Sequence, residues 1–477
     1  MTPSSTTTEH WNGRLWGALT VLCVVIFLDA LDVSMVGVAL PSIQADLGMT
    51  TSSLQWVVSG YVLGYGGLLL LGGRTADLLG RRRVFLVALA LFTVASLLGG
   101  LVNDGTLLIA ARFLKGISAA FTAPAALSII TTTFAEGPAR NRALSIFTAS
   151  GASGFSLGLV LSGLLTELGW RWTFLMPAPI AVLALIAGFK LLPRHTEERA
   201  EGGHDLLGAI TITGSMLLLV YGVVEAPEVG WASARTIATL GAAVVLLAAF
   251  VLTESRVRHP LVRLGILRSA PLVRANLGLV ILFGSYVGFQ FVAMQYFQNL
   301  LHWSALETAL AFLPAGLLVA VSSTKMGDLA DRFGTGRLIA IGAAALAGGY
   351  AIFLNVDHSP SLATMIIPGM VLLGIAFGLS FPSLNIQATN GVADDEQGLA
   401  SGLLNTSGQV GGAIVLGVVT AVMTSSTAAD PVAGIRSAIV VSAVLALVGL
   451  AIALTGLRRP APRTAGTDAD APVLETV

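Results

Sequence analysis

GRTADLLGRRR, residues 73–83, returns in degenerate form as GDLADRFGTGR, residues 327–337, at an offset of 327 − 73 = 254 residues. Each copy is polar and sits between long apolar runs. Runs at 54–73 and 84–102 flank the first; runs at 306–326 and 336–355 flank the second. Working outward, further apolar runs fall at 16–40, 107–133, 142–166, 173–192, 205–226, 234–254, 272–298, 363–388, 399–424 and 436–456, which makes fourteen. Crossing roughly 30 Å of hydrocarbon takes about 20 apolar residues in a helix. Barrel strands need only ~10 and alternate polar with apolar, so these long uniform runs read as helices. The repeat then divides the chain into two blocks of six, 16–192 and 272–456, with two extra helices between them in 193–271. Two related six-helix halves are what a transporter rocking about a midplane site requires.

Composition agrees. The chain has 477 residues, 55% hydrophobic and 11% charged, with a mean hydropathy of +0.84. Ordinary soluble domains carry about 25% charged residues. So few charges cannot cover a soluble surface of this size, which excludes a soluble enzyme, a secreted disulfide scaffold and a nucleic-acid binder. The formal net charge is zero. Cys23 is the single cysteine, so no intrachain disulfide can form; within an apolar run it reads as a small buried hydrophobe. Asp29 and Asp32 interrupt the first run and no small-residue cleavage site follows, so that run is a retained spanner and not a signal peptide.

Cation positions give an independent check. With the N-terminus inside, 21 of the 26 cations fall in inner segments, among them Arg81, Arg82, Arg83, Arg140, Arg142, Arg268 and Arg337. Only Arg171, Arg235 and Arg436 fall outside, and Arg112 and Lys115 lie within a run. The asymmetry follows the positive-inside rule and implies an even number of spanners with both termini cytoplasmic. Residues 1–15 are then a cytoplasmic N-terminus, and the Pro-, Ala- and Thr-rich 457–477 a disordered cytoplasmic tail.

Several side chains stand out chemically. Asp29 and Asp32 are three apart on one helix and share a face. A carboxylate at membrane depth is costly, normally faces a cavity and marks an ion pathway. Desolvation and a neighbouring acid both favour its neutral form, the property a proton carrier needs. The plainer alternative is that one of them only accepts a hydrogen bond. Arg112 cannot lose its proton in practice, so it reads either as a counter-charge to a first-helix acid or as a side chain snorkelling to an interface; Lys115 is open between similar roles. There is no GxxxxGK[ST] loop for ATP, the six histidines lack metal-ligand spacing, and no nucleophile–base pair is present. No enzyme activity, catalytic residue, metal or cofactor is expected, only the proton as coupling ion.

The Gly73–Arg83 segment resembles the loop 2–3 signature of the major facilitator superfamily, and fourteen spanners resemble its drug:proton antiporter branch. LDVSMVGVALPSIQADL (31–47), LIAARFLKGISAA (108–120), GWRWTF (169–174), ALAFLPAGL (309–317) and GLASGLLNTSGQVGGA (398–413) are similar to further blocks of that branch. The resemblance implies an all-α fold of two six-helix bundles plus two central helices, in the bacterial cytoplasmic membrane. It implies proton-coupled efflux of amphipathic or cationic organic compounds by alternating access. Asp32 matches the signature acid, with Asp29 additional and Arg112 implicated in coupling. A gate is implied at Gly73, Asp77, Gly80, Arg81 and Arg82, with Asp331 as the second-half counterpart of Asp77. Gly154, Gly158 and Gly163 keep the small-residue spacing of the fifth-helix signature, but Leu159 stands where proline is typical.

Substrate contacts are expected from Tyr61, Tyr65, Gln290, Gln298, Phe381, Asn405 and Gln409. Gln290 and Gln298, eight apart, could line one cavity face over two helical turns. The expected partners are a small organic substrate, protons and the lipid bilayer, with no nucleic acid, the chain acting as a monomer. Export of one natural product, such as an antibiotic its host makes, or of a lipid-like metabolite is the alternative. A receptor would usually add a soluble domain, and a nutrient importer fits the signature blocks less well.

Overall fold

The computed structural model describes residues 11–134, 138–193, 205–257, 262–323, 325–392, 397–426 and 430–457. Thirteen helices among them are long and apolar enough to cross a bilayer. With Thr51–Leu79, 29 residues long, they make fourteen. In chain order the helices are α1 (Gly13–Leu47), α2 (Thr51–Leu79), α3 (Arg81–Leu101), α4 (Gly105–Thr133), α5 (Pro138–Leu168), α6 (Trp172–Leu191) and α7 (Leu206–Val229). Then follow α8 (Ala234–Glu254), α9 (Ala270–Leu300), α10 (Ala305–Ser323), α11 (Thr335–Phe353), α12 (Leu362–Thr389), α13 (Gln397–Ser426) and α14 (Pro431–Leu457). The expected tail 457–477, save Leu457, and residues 1–10 lie outside the described residues.

Polar residues set the helix ends. Asn12 accepts the Leu15 N–H, Asp104 that of Leu107 and Asp205 that of Gly208, each relieving an orphan donor of the first turn. Gly48, at φ 63°, closes α1 in the left-handed region.

The repeated segment is more helical than expected. Gly73 lies inside α2 and makes no turn; the reversal is confined to Gly80, at φ 95°, ψ 121°. In the second copy a short helix, Met326–Phe333, precedes Gly334 at φ 77°, ψ 143°. Gly80 and Gly334 are again 334 − 80 = 254 apart, so the sequence repeat is a backbone repeat. Only glycine enters this part of φ/ψ space without strain.

Helix packing repeats with it. In the first half α1 packs on α5 and α6, and α4 on α2 and α3. In the second half α9 packs on α13 and α14, and α12 on α10 and α11, each partner eight helices later. The halves meet along two seams, α2 with α13 and α5 with α10. The central helices are unequal: α7 lies on both α2 and α13, and α8 packs on α7. Leu101, Leu168, Leu183 and Val245 are among the many large apolar side chains left exposed around the bundle, the surface a bilayer covers.

The end bearing Arg81, Arg82, Arg83 and Arg337 is the cation-rich face. At the opposite, cation-poor face the halves are joined: Gln298 Nε2 donates to the Val38 carbonyl at 2.9 Å and Asn299 Nδ2 to Gln44 Oε1 at 3.2 Å. Ser156 Oγ donates to the Gly316 carbonyl at 3.0 Å along the α5–α10 seam.

Candidate functional site

Close helix crossings bring the charged side chains together. On α4, Gly116 faces the Tyr61 carbonyl of α2, and Gly72 of α2 faces the Ala120 carbonyl; a Cβ at either would collide with backbone. On α5, Gly154 and Gly158 face the Phe27 and Leu31 carbonyls of α1 in the same way. Ser162 Oγ donates to the Met35 carbonyl at 2.5 Å. Gly163 instead meets Leu306 and Ala309 of α10, on the seam between the halves. Pinned between α4 and α5, α1 turns its two acids inward.

Asp32 is fully buried, and its two carboxylate oxygens take Arg112 Nη1 and Lys115 Nζ, which are three apart on one face of α4. Arg112 Nε donates to the Val57 carbonyl at 2.9 Å, and its guanidinium lies over the Tyr61 ring, 4.7 Å from the centroid. The Lys115 ammonium sits between Phe92 and Phe174, 4.9 Å from each ring centroid. Both cations are thus held by a carboxylate and aromatic faces. Arg112 does not snorkel. Asp29, one turn away, accepts a hydrogen bond from Thr122 at 3.0 Å on Oδ2, and its buried Oδ1 has no hydrogen-bond partner among the described residues. Sequence reasoning noted Lys115 without assigning it a place. The signal was available: two cations three apart inside one apolar run must share a counter-ion.

The cluster opens on a cavity of about 200 Å³ between the halves. The stripe Asp29, Val33, Val36, Gly37 and Leu40 of α1 forms one wall, at the i, i+4, i+7, i+8, i+11 spacing of one helix face. Tyr61 and Tyr65 of α2, Arg112 of α4, Gln290 of α9 and Gln409 of α13 also line it. The volume falls below the ~300–1,000 Å³ of typical ligand pockets, as befits a cavity joined shut at one end.

Three expected contacts lie elsewhere. Gln298 does not line the cavity with Gln290: eight α-helical residues turn about 80° past two full turns, and its side chain is taken up in the join between the halves. Its amide instead ties the halves at the cation-poor face. Phe381 stacks on Phe377, 5.3 Å between centroids, within the second half. Asn405 Nδ2 donates to the Ser401 carbonyl of its own helix at 2.9 Å. At the cation-rich face, Arg82 Nη2 donates at 2.8 Å to the Phe189 carbonyl near the C-terminus of α6, a favourable place for a cation. Arg81 opens α3. Asp331 is exposed on the short helix before Gly334, and the Asp77 side chain lies outside the described residues.

Puromycin resistance protein pur8 of Streptomyces alboniger is 39% identical over 424 residues, 87% of this chain and 83% of its own. Cephamycin export protein CmcT of Amycolatopsis lactamdurans is 39% identical over 422 residues, 87% of this chain and 86% of its own. Multidrug resistance protein Stp of Mycobacterium tuberculosis is 32% identical over 84% of this chain and 75% of its own. Among solved structures, the POT family transporter PepTSo superposes with a TM-score of 0.69 at 17% identity, covering 93% of this chain and 99% of its own. The human organic anion transporter MFSD10 gives 0.63 at 17% identity, covering 93% and 100%. These neighbours are transporters, not enzymes. Residues 22–416 match the Major Facilitator Superfamily, and with the two repeated halves, the fourteen helices and relatives 39% identical over most of their length, the chain belongs to that family.

Proposed function

We propose that this protein is a proton-coupled exporter of amphipathic or cationic organic compounds, working by alternating access in the bacterial cytoplasmic membrane with both termini inside. One observation carries the reading: in a cluster of four buried ionisable groups, Asp29 and Arg112 line a cavity that both halves share, and behind them Arg112 and Lys115 hold the buried Asp32. With both acids ionised the cluster sums to zero. A bound proton leaves it one unit positive, and so does a bound cationic substrate. At an effective dielectric of about 20, two unit charges 4 Å apart interact by about 4 kcal/mol, so each disfavours the other. Mutual exclusion at one site is the requirement for exchange. Asp32 is committed to two cations, which leaves Asp29, a lining residue with an unpartnered carboxylate oxygen, as the carboxylate where proton and substrate compete. Asp32 with Arg112 and Lys115 sets the field in which that competition occurs.

The join at the cation-poor face supports an inward-facing state, since the cation-rich face is the cytoplasmic one under the positive-inside rule. Rocking of the halves would break the Gln298–Val38 and Asn299–Gln44 contacts and close the Gly80 and Gly334 side. The test is uphill export into inside-out vesicles under an imposed pH gradient, wild type beside Asp29→Asn and Asp32→Asn. Loss of gradient-driven export in both, with substrate binding kept in Asp32→Asn, is the expected result. Full uphill export by Asp29→Asn would overturn the scheme. A narrower reading, export of a single natural product, is favoured by relatives whose names specify puromycin resistance and cephamycin export. A substrate panel in the same vesicles separates the two.

A further inference from the structure

Two buried polar atoms on residues that line the cavity are left without hydrogen-bond partners among the described residues. One is an acceptor, Asp29 Oδ1 of the first half; the other is a donor, Gln290 Nε2 of the second. Both side chains are more than nine-tenths buried. A buried polar atom without a partner is costly, and the cost is relieved when a ligand supplies the missing group. The two atoms are also separated along the cavity. Gln290 Nε2 lies 3.0 Å from where a Cβ on Gly37 would be, so its amide sits at the level of Gly37 on α1. Asp29 is eight residues earlier on the same stripe, about 12 Å along the helix axis at 1.5 Å per residue. Between those levels the lining includes the apolar Val33, Val36, Val58, Phe283 and Val287, along with Tyr61 and the Arg112 guanidinium that is paired to Asp32.

We infer that the cavity selects elongated amphipaths with an N–H-bearing ammonium at one end and a carbonyl-type acceptor at the other, the ammonium on Asp29 Oδ1 and the acceptor under Gln290 Nε2. This rests on the reading of the cavity as the transport site and adds the chemistry of recognition. The acceptor end lies toward the face where the halves are joined, and the ammonium trails toward the cation-rich face. A quaternary ammonium has no N–H to give and leaves Asp29 Oδ1 unsatisfied. An amine without an acceptor leaves Gln290 Nε2 unsatisfied. Because the paired groups come from opposite halves, the full ligand bridges the two bundles and a truncated one does not. Gly37 is part of the device, since any side chain there would displace the Gln290 amide.

The experiment is equilibrium binding to the purified transporter in lipid nanodiscs with three probes on one aromatic spacer: a primary amine with an amide, its trimethylammonium analogue, and the amine with the amide replaced by an alkene. The first should bind about tenfold or more tighter than either analogue, a hydrogen bond to a charged group or an orphaned buried donor being of that weight. Gln290→Leu, with Gln290→Met as the second variant should the first fold poorly, should level the amide and alkene probes. It should leave the ratio of amine to trimethylammonium unchanged. Equal wild-type affinity for the three probes, or an amide preference that survives both variants, overturns the inference. Uphill export of a cationic dye by the same preparation reports on the transport reading separately. Driven export with unselective binding sinks only the recognition chemistry; selective binding without driven export upholds it and sinks only the coupling.

Discussion

Replacing Asp32 by asparagine keeps the size of the side chain and removes one charge, leaving Arg112 and Lys115 in the protein interior without their shared counter-ion. Breaking a buried ion pair by removing one partner costs about 3–5 kcal/mol. The asparagine carbonyl still accepts one hydrogen bond and Arg112 keeps the Val57 carbonyl and the Tyr61 ring, so the lower end, about 3 kcal/mol, applies. That is roughly a hundredfold in the folded-to-unfolded ratio, at about 1.4 kcal/mol per decade. Lys115 carries most of the penalty, because its other neighbours are the Phe92 and Phe174 rings. Methionine suits a slot between two rings. The Asp32→Asn, Lys115→Met double variant should therefore recover most of the loss, giving a coupling of about 2 kcal/mol in a double-mutant cycle. The assay is an unfolding titration in mixed micelles on the four proteins. A single Asp32→Asn variant as stable as wild type, or a double variant no more stable than the single, would refute the argument.

Other outcomes follow from the backbone. Gly80→Ala should destabilise by about 1–3 kcal/mol, since alanine is strained at φ 95°. Gly73→Ala, helical and with Pro124 at an ordinary 3.8 Å, should be neutral or stabilise by up to about 1 kcal/mol; thermal unfolding of the pair decides, and equal effects would contradict the placement of the turn. Gly116→Ala drives a Cβ into the Tyr61 carbonyl and should cost about 1–3 kcal/mol or more, read as loss of monodisperse protein on size exclusion. Gln298→Ala removes a hydrogen bond between the halves worth about 1 kcal/mol and should shift the population roughly fivefold toward opening at the cation-poor face. Spin-label distances between positions 47 and 301 measure this, and an unchanged distribution counts against Gln298 as a clasp.

Much of this is legible in the amino-acid sequence. Hydropathy gave fourteen helices, and the repeat gave two halves in register, because both depend on local composition and on an offset that the backbone keeps at Gly80 and Gly334. The acids of α1 and the cations of α4 were legible as costly charges at membrane depth, since that cost is independent of fold. Side-chain direction was not. Gln298 has the chemistry of a cavity residue, but its amide is spent on the Val38 carbonyl in the join between the halves, a pairing that composition does not signal. Phe381 and Asn405 have the right chemistry but turn toward their own bundle or their own helix backbone. The partition of the two acids, Asp32 paired and Asp29 open to the cavity, depends on which face of α4 crosses α1. Glycines at 64, 72 and 116 set the α2–α4 crossing that fixes how α4 is turned, and nothing in the residue types alone says so.

The α7–α8 pair leaves the two flanks of the molecule unlike each other. Along α2 and α13 the gap between the bundles is backed by α7, fastened by the Gln55–Val224 hydrogen bond of 2.9 Å. The α5–α10 flank has no such backing among the described residues. A compound dissolved in the leaflet thus meets a gasketed joint on one side and a bare one on the other. Seen from the acyl chains, one seam lies beneath a further helix and the other is a single layer deep.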